Sequence, residues 1–139
     1  KTMKKFILLL FAIPYLTFGA WYNFKNGLAI AKAQNKPLMV YFYQNNCEDC
    51  KHMEMFTLSN QNVSNFMDTH FVVSSINLDS SCGKALGRKF GVFGTPTSVF
   101  INPKTNNVIF KAFGDMNPNQ FLKTLNYVCL NAKKGGLSC

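Results

Sequence analysis

Hydrophobic positions along this chain alternate between stripes at helical spacing and short continuous runs. From Asn23 to Lys36, Phe24, Leu28 and Ala31, with the small Ala29 and Ala33, recur at helical spacing and predict an amphipathic first helix that Pro37 ends. Leu38 to Tyr43 is apolar throughout, as expected of a central strand buried on both faces, and Asn45 and Asn46 break it. Helix signals resume at Cys47 and run to about Phe56. Glu48 and Asp49 fall in the first turn, where negative charge suits the helix dipole, and Lys51 and His52 follow. Ser59 can cap a further helical stretch through Asn62, Val63, Phe66 and Met67.

Phe71 to Leu78 reads as a second strand, Ser81 to Phe90 as a short helix, and Gly91 to Pro96 as a loop. Thr97 to Ile101 and Val108 to Phe113 read as strands joined by the turn-rich segment Asn102 to Asn107, short enough for an antiparallel hairpin. Asn117 before Pro118 is an N-cap followed by a first-turn proline, so a last helix should run from Pro118 to about Leu130. The order helix, strand, helix, strand, helix, strand, strand, helix predicts an α/β fold with a mixed central sheet and helices on both faces. The many phenylalanines, including Phe90, Phe93, Phe100 and Phe110, are expected in its core.

A length of 139 residues suits one domain. Its front end has the form of an export signal, residues 1–20: Lys4 and Lys5, the apolar run Phe6 to Ile13, then Pro14 to Ala20, with cleavage after Gly19 or Ala20. The 16 residues from Phe6 to Trp21 fall short of the ~20 that a helix needs to cross a bilayer, so a cleaved signal is favoured over an uncleaved anchor. Residues 21–130 form the expected domain and 131–139, with Gly135-Gly136, an expected flexible tail.

The net charge of +9 raises the question of nucleic acid. Three of the fifteen basic residues lie at or before the signal, leaving twelve against six acidic residues, a net of +6. Apart from Lys133-Lys134 the lysines are scattered singly, with no basic stripe interleaved with aromatics, so a nucleic-acid partner is not expected.

The candidate chemistry is Cys47-Glu48-Asp49-Cys50, a C-x-x-C where a buried strand gives way to a helix. A helix N-terminus stabilises a thiolate on the first cysteine, and the spacing lets the second close a disulfide onto it. Cys47 is the expected nucleophile and Cys50 the resolving thiol that releases a mixed disulfide. Zinc is disfavoured because the other candidate ligands, His52, His70, Cys82, Cys129 and Cys139, show no paired ligand spacing. Haem attachment fails because Lys51, not histidine, follows Cys50. No metal or cofactor is expected.

Glu48 and Asp49 oppose a further negative charge on Cys47, each by on the order of 1 to 2 kcal/mol before salt screening, while Lys51 pulls the other way. A disfavoured thiolate stabilises the disulfide and makes the dithiol a better electron donor, which favours a reductase over an oxidase.

From Trp21 to Val128 the chain resembles the thioredoxin-fold oxidoreductases, and is most similar to the C-terminal periplasmic domain of the thiol:disulfide interchange proteins (DsbD). The resemblance rests on Trp21 with Asn23-Phe24, Asn35 to Val40, Cys47-Glu48-Asp49-Cys50-Lys51 with Glu54, Phe56 to Ser59 with Val63, and Gly94-Thr95-Pro96-Thr97. It implies that the Thr95-Pro96 bond is cis beside the cysteine pair and that the Thr95 backbone binds a substrate strand. It also implies a periplasmic reductase of exported proteins or apocytochromes, monomeric and recharged by a membrane electron-donor protein. One departure stands out. Tyr41 occupies the position, six residues before the first cysteine, where thioredoxins usually carry a buried aspartate, and a tyrosine with a pKa near 10 is a poor base at neutral pH.

Three cysteines remain. The expected arrangement is a Cys129–Cys139 bridge with Cys82 buried and inert; the alternative puts Cys82 near the active-site end of the sheet, exchanging with the pair. The rival functions are a disulfide oxidase or isomerase, and a non-catalytic thioredoxin-like binding module or chaperone.

Overall fold

The computed structural model describes residues 21–139, so the export signal read at residues 1–20 lies outside it. Four strands form one mixed sheet in the order β2-β1-β3-β4. Strand β1 (Leu38–Tyr43) runs parallel to β2 (Val72–Asn77) and antiparallel to β3 (Thr97–Ile101), which forms a hairpin with β4 (Val108–Phe113).

Because β1 is central, both its faces are covered. Period-2 alternation sends Leu38, Val40 and Phe42 into one core and Met39 and Tyr41 into the other. The first core is closed by Ala31 of helix α1 (Phe24–Gln34) and by Phe90, the last residue of a helix spanning Ser81–Phe90. Gly27 permits the close approach of α1 to β2, since a Cβ there would sit 2.1 Å from the Ser74 Oγ. Helix α1 ends earlier than Pro37, at Asn35 in the left-handed region (φ 53°), a conformation that asparagine tolerates.

Helix α2 (Glu48–His52) starts one residue after Cys47, its N-cap, and then widens into a π-helical segment, Met53–Leu58. There the Ser59 N–H donates to the Glu54 carbonyl, a five-residue step. Single-residue periodicity does not reveal such a widening. Helix α3 (Gln61–His70) is capped by Asn60, whose Oδ1 accepts from the Asn62 and Val63 amides; Ser59, the expected cap, donates its hydroxyl to the Met55 carbonyl instead. The Ser81–Phe90 helix is α4, and α5 (Pro118–Lys134) begins with a full capping box between Asn117 and Gln120.

The C-terminal tail differs from expectation. Helix α5 continues four residues past Leu130, and the segment after it docks instead of floating. Leu137 is buried, the Ser138 N–H donates to the Asn35 carbonyl at 2.8 Å, and Cys139 is bonded to Cys129. Two glycines in sequence suggested mobility, but Gly136 (φ 84°) serves to turn the chain back onto α1 and α3. Closing this short loop stabilises the fold by about 2 to 3 kcal/mol on a chain-entropy argument.

Candidate active site

Strand β1 delivers the chain through Gln44-Asn45-Asn46 to Cys47 at its C-terminal end, on the central strand of the sheet. Cys47 and Cys50 are joined by a disulfide, Cα to Cα 5.2 Å. Cys47 is half-buried, whereas Cys50 is 2% exposed, so an incoming group can reach the first sulfur but not the second. The Cys50 N–H donates to the Cys47 Sγ at 3.1 Å, a backbone bond that would strengthen once the sulfur is a thiolate.

The loop before β3 supplies the other wall. Its Thr95-Pro96 peptide bond is cis, with Pro96 buried. The Cys47 Sγ lies 3.6 Å from the Thr95 carbonyl oxygen and 3.4 Å from its Oγ1. Thr95 Oγ1 in turn donates to the Gln44 Oε1 at 2.8 Å, and the Gln44 Nε2 donates to the Asp79 Oδ1 at 2.8 Å. Sequence reading did not single out Gln44 or Asp79. They lie at the ends of parallel neighbours β1 and β2, and only the sheet pairing brings those ends together.

Of the charges expected to tune the pair, Glu48 and Asp49 are exposed on the first turn of α2. Lys51 pairs with Glu48 at 3.2 Å, which directs its charge to that carboxylate in preference to the sulfur. Both partners are exposed, so the pair adds little stability. The His52 Nδ1 contacts the Asp115 Oδ2 and ties α2 to the segment before α5.

Tyr41 lies beneath this helix, fully buried, its hydroxyl without a hydrogen-bond partner among the described residues. Burial, reinforced by the Glu54 and Asp115 carboxylates, pushes its pKa far above the ordinary tyrosine value. It therefore stays protonated and supplies no base. Tyr41→Phe should not slow disulfide exchange, since the protonated hydroxyl supplies no base, and turnover checks it. The sign of its effect on stability at high pH is also set. The unfolded tyrosine ionises near 10.0 while the folded one keeps its proton, so the wild-type protein loses stability above that pH and the variant is spared this loss.

Two expectations about exposure are corrected. Cys82 is exposed rather than buried, because it falls on the solvent side of α4 between the inward-facing Gly83 and Gly87 and the helix cap Ser80. Phe93 is 89% exposed rather than in the core, since it lies in the loop between the buried Val92 and Pro96 with its side chain turned to solvent. The structure also gathers three candidate metal ligands that sequence spacing separated: donor atoms of His70, Cys129 and Cys139 lie within 4.8 Å of one another. With the two sulfurs bonded to each other, neither offers the thiolate that a metal requires.

Residues 24–129 match the family described as Thioredoxin-like domain. The chain is 31% identical over 99 residues to the thiol:disulfide interchange protein DsbD of Yersinia enterocolitica, covering 70% of this chain and 17% of that protein. It is 29% identical over 117 residues to the DsbD of Yersinia pestis, covering 82% of this chain and 20% of that protein. The chain thus spans about a fifth of the length of those relatives. Among solved structures, a thioredoxin from Thermus thermophilus superposes with a TM-score of 0.79 at 36% identity, over 86% of this chain and 93% of that one. The oxidised C-terminal domain of Neisseria meningitidis DsbD superposes with a TM-score of 0.64 at 20% identity, over 77% and 97%, a likeness of fold alone. The chain belongs to the thioredoxin-like domain family.

Proposed function

We propose that the chain is a thiol-disulfide oxidoreductase working as a periplasmic reductase, which reduces disulfides in exported proteins or apocytochromes and is recharged by a membrane dithiol protein. The observation that carries this reading is the asymmetry of the pair, with Cys47 accessible at the start of a helix and Cys50 shielded behind it. In the reduced protein the Cys47 thiolate attacks a substrate disulfide. A Cys47-substrate disulfide forms, and one substrate sulfur leaves as a thiolate that takes a proton from water. Cys50 then loses its proton and attacks the Cys47 sulfur, closing the Cys47–Cys50 disulfide and releasing the second substrate thiol. Two electrons and two protons pass from protein to substrate, and a dithiol donor returns them.

In this account Thr95 and Pro96 border the substrate strand beside Cys47, and the exposed Phe93 offers that strand an apolar contact. The proton of Cys50 leaves through water or through Glu54, one of the carboxylates beside Tyr41. The Glu48 and Asp49 carboxylates bias the pair toward electron donation. The tested quantity is the direction of turnover: the chain should accelerate reduction of a protein disulfide at the expense of a dithiol, and a faster oxidation of a reduced protein's thiols to disulfides instead would reverse the reading.

A second reading, a binding module without turnover, draws on the protonated Tyr41 where a base would help. It predicts saturable binding of unfolded chains with no dependence on Cys47.

A further inference from the structure

We propose that Gln44 and Asp79 are positioning residues that hold the Thr95 hydroxyl away from Cys47 and so set how readily Cys47 ionises. This rests on the reading of Cys47 as the nucleophile. The Thr95 hydroxyl has one proton and two acceptors in reach, the Gln44 Oε1 at 2.8 Å and the Cys47 Sγ at 3.4 Å. A sulfur in a disulfide is a weak acceptor, so the proton points to Gln44. A Cys47 thiolate is a strong acceptor and would draw the same proton to itself.

What opposes the transfer is the orientation of the Gln44 amide. Its Nε2 donates to the Asp79 carboxylate at 2.8 Å, and a carboxylate can only accept, so the Oε1 is kept facing Thr95. If the Thr95 proton turned to the thiolate, two oxygens would face each other at hydrogen-bonding distance with no proton between them. Turning the amide over would cure that clash, but it would set the Oε1 against the Asp79 carboxylate. The chain from Asp79 through Gln44 and Thr95 therefore penalises the thiolate at Cys47. It favours the closed disulfide, in the same direction as the acidic pair between the cysteines.

The other charged groups near the pair are Glu48, Asp49 and Lys51 on its own helix, with Lys51 paired to Glu48, Glu54 in the π-helical segment that continues it, beside Tyr41, and the His52–Asp115 pair. Asp79 differs from these in being linked by two consecutive hydrogen bonds, through Gln44, to the Thr95 hydroxyl whose oxygen lies 3.4 Å from the sulfur. Because it is also a negative charge, its removal could favour the thiolate simply through space. The test separates the two.

In the full reduced chain, the pH dependence of alkylation at Cys47 is followed by peptide mass, which keeps Cys82 apart. Asp79→Asn gives the Gln44 amide a partner that can donate, so the amide can turn and offer its Nε2 to Thr95. The expected result is a Cys47 pKa lower by about one unit, a tenfold easier ionisation. Gln44→Met, which removes the acceptor, should lower it as well. In a Thr95→Val background the Asp79→Asn effect should vanish, and in a Thr95→Ser background, which retains the hydroxyl, it should return. An unchanged pKa in Asp79→Asn, or the same fall with and without the Thr95 hydroxyl, would overturn the proposal. Failure of the underlying reading looks different: the wild-type chain would then show no disulfide turnover at all.

Discussion

Replacing Cys50 with serine is expected to abolish turnover and to leave the chain carrying its substrate as a stable mixed disulfide on Cys47. Cys47 keeps its place at the head of α2, its access to solvent and its contacts with the Cys50 amide and Thr95, none of which depends on the Cys50 sulfur. It can still attack. What is lost is the second attack, because a serine hydroxyl at that buried site is not a nucleophile toward a disulfide. Turnover should fall by at least about three orders of magnitude, the scale on which loss of an essential nucleophile acts in other enzymes. The captured species is visible by mass under non-reducing conditions, and dithiol releases it. With Cys82 also replaced by serine in both variants, Cys47→Ser should lose turnover equally but capture nothing, since the Cys50 thiol is out of reach and the exposed Cys82 no longer competes. Equal capture by both variants would contradict the assignment of roles.

The largest expected loss of stability follows Phe121→Ala. Phe121 is fully buried at the start of α5, in the core that also holds Tyr41 and Met53 under the active-site helix. Truncation removes most of an aromatic side chain and leaves a cavity in a core to which strands β1 and β3 and helices α3 and α5 all contribute, so the surrounding elements cannot all close in. The cost is about 3 to 5 kcal/mol, a large part of the 5 to 15 that such domains possess. Denaturant unfolding checks it. A loss below about 1 kcal/mol would mean that the α5 face collapses freely and does not brace the helix carrying the cysteines.

The elements were legible in the sequence where one local rule decided them. The apolar run at Leu38–Tyr43 became the central strand, and Asn117-Pro118 became the start of α5. The C-x-x-C was legible for the same reason, since four adjacent residues carry the pair and its helix. Features that depend on distant partners were not. The docking of the tail needs Asn35, about a hundred residues away, and a glycine pair alone argues for mobility. The exposure of Cys82 is decided by which side of α4 meets the sheet, and that of Phe93 by the path of the loop between α4 and β3. Gln44 and Asp79 have no motif; parallel pairing of β1 with β2 makes them neighbours, and the loop before β3 brings Thr95 to them. The protonated state of Tyr41 likewise comes from burial, which residue type does not reveal.

The central claim, that Cys47 and Cys50 form a reducing pair, is tested most directly by the reduction potential of the disulfide, measured by equilibration against a dithiol couple of known potential. The acidic residues beside Cys47, together with the Thr95 hydroxyl turned toward Gln44, predict a value near that of thioredoxin, about −270 mV, whereas a value near −120 mV would mark an oxidant and contradict the account.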